Sequence, residues 1–314
     1  MTYSNIFSKT YGAALALLMS LSLFGCMKED FSNCGVLVTF THTSTDQQTE
    51  FPGDLNQIDL FVFDDNGLFV ERYRVDGVSS KETSAIRLFL PTGNYSLVAW
   101  GNLNEDYTLS TFKKGETTLT DATLSLVRSD NQITKRLGSL YYGQMANMAI
   151  KGGGKVEKNI EMMNDANTMR ITIKGLPIEA GATVEQVAKQ YPMYLTDNNA
   201  DYYFDNTLAA KTPLTYIPTY RIADKNIVLE TTVLRLFTNG ATTLFLDQEQ
   251  KTKAAENMKW NLVELILKSG AINDQYGLDF CDAYYIEIEI DYHTNTTSTI
   301  KVNGWVIYDM NGGL

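Results

Sequence analysis

Apolar and polar residues alternate along most of the chain with a period of two, that of a strand; only one segment carries a helical period. Val36, Val38 and Phe40 alternate with Leu37, Thr39 and Thr41. Ile58 to Phe63 reads as a second strand, Asp64-Asp65-Asn66-Gly67 as a tight turn, and Leu68 to Val75 as the returning strand. Asn-Gly between two β-rich runs is a strong hairpin signal. Ile86 to Leu90, the turn Pro91-Thr92-Gly93-Asn94 and Tyr95 to Trp100 follow. Further strands are expected at Thr118–Thr120, Ala122–Val127, Leu140–Gln144 and Val156–Met162, with a flexible loop at Lys151-Gly152-Gly153-Gly154-Lys155.

Asn164-Asp165-Ala166-Asn167 is a polar break, after which Met169 to Lys174 opens a new alternating run. Strands are expected at Pro192–Thr196, Asp201–Phe204, Thr215–Arg221, Asn226–Phe237 and Thr242–Leu246. Ala254 to Lys268 is the best helix candidate, with Met258, Leu262, Leu265 and Ile266 near a 3.6 period; Leu262–Leu267 reads equally as a strand. In Tyr284 to His293, the residues Tyr284, Ile286, Ile288, Ile290 and Tyr292 share one face. Tyr285, Glu287, Glu289, Asp291 and His293 share the other, as in a strand between core and water. Ser298 to Met310, containing Trp305-Val306-Ile307-Tyr308, reads as the last strand. Many short strands with turn signals and almost no helix predict an all-β protein of two β-sandwiches, divided at the polar break into 35–165 and 166–314.

The opening segment has a different pattern. Lys9 is its only charged side chain, and an apolar run from Ala13 to Phe24 is interrupted only by Ser20 and Ser22. About 12 residues is short of the roughly 20 that span a bilayer, and fits the apolar region of a secretory signal. The run ends in Leu23-Phe24-Gly25-Cys26, which resembles a bacterial lipobox, with Phe24 bulkier than is usual. The resemblance implies cleavage before Cys26, acylation of that cysteine and an anchor whose buried CH₂ groups contribute about 0.8 kcal/mol each. The alternative is a plain secretory signal with an incidental cysteine. Lys28-Glu29-Asp30 follows and resembles a surface-export signal of Bacteroidota lipoproteins, or is a solvated tether. The segments are thus a signal peptide at 1–25 and a lipidated tether at 26–34.

Composition sharpens this. The 314 residues carry 26 Lys+Arg against 37 Asp+Glu, a net charge of −11, which falls to about −12 once Lys9 leaves with the signal. Nucleic acid is an unsuitable partner for such a surface, because phosphate binding needs clustered Lys and Arg. Two histidines, His42 and His293, do not make a His-rich metal site. After Cys26, the cysteines Cys34 and Cys281 stand 247 positions apart; two unpaired buried thiols are favoured over a disulfide. Asp64 to Gly67 lacks the ligand spacing of a calcium loop, and Gly152-Gly153-Gly154-Lys155-Val156 lacks the Ser or Thr of a P-loop. Glu287, Glu289 and Asp291 read as solvated acids rather than a catalytic pair. No catalytic residue, metal or cofactor is assigned.

The ordered set of motifs resembles a known family. A lipobox, an acidic tether and Cys34 lead into Val36–Phe40. Then come Ile58–Asp64 with Asn66-Gly67, Leu90-Pro91-Thr92-Gly93-Asn94 running on to Asn102, Met169–Leu176 and Val302-Asn303-Gly304-Trp305. This order is similar to the FimB-like (minor-fimbrium anchor) lipoproteins of Bacteroidales. The resemblance implies two tandem transthyretin-like β-sandwiches and a non-enzymatic role anchoring or assembling a fimbria at the outer membrane, with fimbrillin-like subunits as partners. It further implies polymerisation by strand exchange, in which an Arg-specific cleavage removes a first strand from shaft subunits. No Arg lies between Cys26 and Arg72, so this chain is expected to keep its first strand. Trp305, Val306, Ile307 and Tyr308 are the candidate donor-strand segment, with a fixed core strand as the alternative. A competing function is surface glycan binding, for which Tyr202, Tyr203 and Phe204, or Tyr141 and Tyr142, would have to form an exposed platform.

Overall fold

In the computed structural model, which describes residues 35–43, 49–50, 53–81, 83–151, 155–247 and 258–309, the alternating segments become short strands. The first half lays down β1 (Gly35–Thr43), β2 (Thr49–Glu50), β3 (Gln57–Phe63), β4 (Phe69–Asp76), β5 (Ile86–Leu88) and β6 (Gly93–Gly101). It continues with β7 (Tyr107–Leu109), β8 (Thr123–Leu126), β9 (Gln132–Ile133), β10 (Tyr141–Ile150) and β11 (Lys155–Asn164). The second half begins with β12 (Ala166–Lys174), α1 (Val184–Gln190), β13 (Met193–Asp197), β14 (Asp201–Tyr203), β15 (Leu214–Tyr216), β16 (Thr219–Ala223) and β17 (Asn226–Leu234). It ends with β18 (Thr243–Leu246), β19 (Met258–Asn261), α2 (Leu262–Lys268), α3 (Gln275–Asp279), β20 (Ala283–Asp291), β21 (Thr296–Val302) and β22 (Trp305–Asp309). Among the described residues the protein is all-β apart from these three short helices.

The first-half sheet runs β2-β1-β11-β10-β6-β3-β4, with β5 also on β1. It folds over on itself at β11. Residues 155–162 of that strand pair in parallel with β1, whereas only Met163 and Asn164 pair with β10. The two layers enclose one core, to which Val38, Phe40, Leu60, Val62, Leu97 and Ile160 contribute. All seven residues of β3 are buried. Ile58, Leu60 and Val62 face this first core, while Phe61 and Phe63 face a second. A strand covered on both sides has no solvent face to fill with polar residues, which accounts for its nearly unbroken apolar run. Its single charge, Asp59, is met by Arg72 at 2.8 Å and by Gln57 Nε2 at 2.6 Å.

The second core lies between that layer and the second half. Phe61 meets Phe204 edge-on at 4.8 Å between ring centroids, and Trp100 packs against Tyr142 at 4.9 Å. Around it stand a six-stranded sheet β16-β17-β12-β20-β21-β22, a five-stranded sheet β19-β18-β13-β15-β9 and a three-stranded sheet β14-β8-β7. β8 and β9 belong to the first half of the chain but pair with β14 and β15 of the second. The polar break at 164–167 separates β11 and β12, successive strands that enter different sheets. Its residues are buried, Asp165 completely.

Several sequence expectations are corrected. The helix expected over 254–268 is α2 alone: residues 254–257 lie outside the described ones, and Met258–Asn261 form β19. Asn261 caps α2 by accepting from Glu264 N. α1 was not among the expected elements; Thr183 and Gln186 form a reciprocal capping box at its start, a Thr-x-x-Gln signal present in the sequence. Thr118–Thr120 provides only a bridge from Thr118 to Leu68. The run Thr215–Arg221 splits into β15 and β16 around Pro218, which has no N–H to donate.

Gly175 ends β12 with φ +83°, and a Cβ built there would sit 2.0 Å from the Ile290 carbonyl oxygen. Gly175→Ala is therefore expected to destabilise the protein by about 1–3 kcal/mol. Urea denaturation measures this, and an unchanged midpoint would count against the close approach.

Candidate functional site

The end of the chain forms a hairpin on the rim of the six-stranded sheet. Asn303 and Gly304 take φ values of 47° and 86°, the left-handed pair of a type I′ turn. Val302 then lies opposite Trp305. The expected single strand from Ser298 to Met310 is thus two strands, and the Asn-Gly signal that marks the first hairpin marks this one too. The turn is held to β20, because Asn303 N donates to the Tyr285 carbonyl (2.7 Å) and Asn303 Oδ1 accepts from Tyr285 N (2.9 Å).

Beyond the turn, β22 has β21 as its one strand neighbour among the described residues. Lys301 pairs with Val306 and Ile300 with Tyr308, leaving Ile307 as the extra residue of a bulge. Ile307 packs on the larger core. Trp305, Val306 and Tyr308 are 63%, 48% and 42% exposed. The candidate segment is thus an edge strand, neither a free tail nor a strand of the core interior. In a two-residue hairpin the pair next to the turn, Val302 and Trp305, exchanges the hydrogen bonds. The next residue, Val306, consequently turns its N–H and C=O toward the open side.

The other described edges are protected. β4 carries Glu71, Arg72, Arg74 and Asp76, and β16 carries Arg221. β2 and β9 are two residues long, β7 and β14 are three, and β19 carries Lys259. Charge and shortness are the usual ways of stopping an edge from recruiting another strand. β22 differs in where its charge lies: its one charged residue, Asp309, comes last, which leaves Trp305–Tyr308 as four apolar residues in a row.

The remaining sequence candidates lie elsewhere. Cys26 and Cys34 fall outside the described residues. Cys281 is buried and unpaired, and burial pushes its thiol pKa up. β20 stops at Asp291, so Tyr292 is exposed rather than on the core face, and His293 sits in the turn beyond the strand. Glu287 is paired with Lys174 at 2.7 Å, and Asp291 accepts from His293 N. Asp64 accepts from the backbone N–H groups of Asn66 and Leu68, as a turn requires. Tyr141, Tyr142, Tyr202 and Phe204 are buried in the two cores and Tyr203 is half-buried, so the five rings form no exposed platform. A cleft of about 550 Å³ between the halves is lined by Asp54, Asn102, Arg136 and Thr168 among others, and by no aromatic ring.

The family of fimbrillin-A associated anchor proteins Mfa1 and Mfa2 matches residues 30–311. The chain is similar to the minor fimbrium anchoring subunit Mfa2 of Porphyromonas gingivalis, at 24% identity over 321 residues and 94% of both proteins. The solved structure of the P. gingivalis fimbrial anchor protein Mfa2 superimposes with a TM-score of 0.74 at 20% identity, covering 88% of this chain and 99% of that one. A candidate polysaccharide-binding protein from Bacteroides thetaiotaomicron superimposes with a TM-score of 0.76 at 23% identity, covering 89% and 100%. At these identities the superpositions establish the shared fold.

Proposed function

Because the chain belongs to the family of fimbrillin-A associated anchor proteins Mfa1 and Mfa2, we propose that it is a non-enzymatic surface lipoprotein that holds a fimbria to the outer membrane. Acyl chains on Cys26 attach it, and residues 26–34 are the tether. At the other end, β22 engages a fimbrial subunit by adding a strand to, or exchanging one with, that subunit. Main-chain hydrogen bonds supply affinity in such pairing, and alternate side chains supply specificity.

The observation that carries this reading is the apolar, largely exposed edge segment Trp305–Tyr308. The first strand supports it from the opposite end of the chain. β1 is paired on both sides, with β11 and β5, and it buries Val36, Val38 and Phe40. Removing it would open the first core. The stretch from Cys26 to Arg72 holds no Arg at which an Arg-specific protease would cut. An anchor has to keep this strand, since the strand joins the fold to the lipid.

The glycan-binding alternative draws on the name of the B. thetaiotaomicron relative, but four of its five candidate rings, Tyr141, Tyr142, Tyr202 and Phe204, are buried. The test is Cys26→Ala in the native host. The substituted protein is expected to leave the membrane fraction, and the fimbrial polymer that co-purifies with membranes through the wild type is expected to leave with it. Retention of both in the membrane would overturn the lipid anchor. Retention on immobilised surface glycan with no fimbrial polymer would favour the alternative.

A further inference from the structure

His42 lies near the end of β1 and touches the second half of the chain. Its side chain is 7% exposed. Nδ1 stands 2.8 Å from the Met162 carbonyl oxygen on β11, and Nε2 stands 3.1 Å from Asp282 Oδ2, just before β20. The Phe280 ring stacks on the imidazole and the Tyr141 ring meets it edge-on. Both atoms facing the ring nitrogens are acceptors. A neutral imidazole has one N–H and donates to only one of them; an imidazolium donates to both.

We propose that His42 is a proton-operated clamp between the two halves, closed when the ring is protonated and released when it is neutral. The clamp itself stands independently of the fimbrial reading. Two carboxylates act on the ring, Asp282 and Asp54. The Asp54 carboxylate also receives the Tyr141 hydroxyl (2.6 Å) and the Ser139 hydroxyl. Burial alone lowers the His42 pKa. The hydrogen bonds to Asp282 and to the Met162 carbonyl, with the charges of both carboxylates, outweigh it, so the pKa lies above the ordinary 6.5. A raised histidine pKa means that the clamp's stabilisation is complete below the unfolded-state value and is lost as pH rises through the folded-state value.

The chain has two histidines, so full-length His293→Gln protein shows a single imidazole in an NMR titration. The expected result is a midpoint above 6.5 that moves down in the Asp282→Asn, His293→Gln double variant. A midpoint at or below 6.5, or one unmoved by Asp282→Asn, would overturn the clamp. Melting curves supply a second reading. Asp165, pushed up to about 7 chiefly by burial, titrates in the same window, so the measured quantity is the difference between wild type and His42→Gln. That difference is expected to shrink as pH rises from 5 to 9 (about the range the linkage spans). A constant difference sinks the proposal. If His42→Gln does not fold, Asp282→Asn alone gives the same comparison.

Discussion

Val306→Lys is expected to weaken capture of a fimbrial subunit by about tenfold or more, equivalent to about 1.4 kcal/mol, while leaving the melting temperature nearly unchanged. Val306 is the residue of β22 that presents its backbone to the open side, and its side chain is half exposed on the rim. A lysine there costs little folded stability, because few core contacts are lost. It does place an ammonium where an incoming strand would have to lie, as charged residues already do along β4. Val306→Pro tests the same edge differently, by removing the outward N–H. The measurement is co-purification of the subunit with purified full-length variants, alongside thermal melting. Unchanged capture by both folded variants would move the binding surface away from β22. Unfolding of both would make the segment a structural requirement of the sheet.

Arg235→Met is expected to cost about 3–5 kcal/mol of stability, the range for breaking one side of a buried ion pair. Arg235 grips Asp279 with Nε and Nη2 at 2.7 and 2.8 Å, and Nη1 donates to the Asn206 carbonyl. Both side chains are nearly sealed, at 13% and 9% exposure. The guanidinium also lies 4.9 Å from the centre of the Phe237 ring. Its removal strands Asp279 close to Asp165, a fully buried acid whose pKa Arg235 holds down and Asp279 pushes up. The penalty is read by urea denaturation. Arg235→Met combined with Asp279→Leu is expected to recover part of it, since the stranded Asp279 carboxylate is removed as well. A single-variant cost below about 1 kcal/mol would place the pair in the class of solvent-screened surface bridges.

The parts of this structure that depend on local pattern are legible in the sequence. The alternation from Tyr284 to Ile290 identifies β20 and its buried face, and Asn66-Gly67 identifies the first hairpin. The Asn303-Gly304 turn is equally legible, although a continuous apolar run through Trp305–Tyr308 disguises it as one strand. What is not legible depends on partners far away in the chain. The polar residues at 164–167 resemble a solvated linker, but they are buried where the first and second halves of the chain meet. His42 looks like an isolated polar residue until Asp282, 240 positions later, is placed beside it. The pairing of β8 with β14 joins the two parts that the sequence divides. β22 becomes recognisable as an edge only once the order of strands in its sheet is known.

The parallel pairing of β1 with β11 also determines how the tethered protein proposed here would meet a pulling force. Tension arriving from the membrane would enter at the start of β1, while β11 leads at its far end into the rest of the molecule. The two strands point the same way over eight paired residues, Gly35 to His42, so the pull is directed along them from opposite ends. Their hydrogen bonds are then sheared together rather than unzipped one after another. Resistance to forced unfolding is a matter of rate, not of equilibrium stability, and this geometry puts the mechanically stronger arrangement directly behind the lipid.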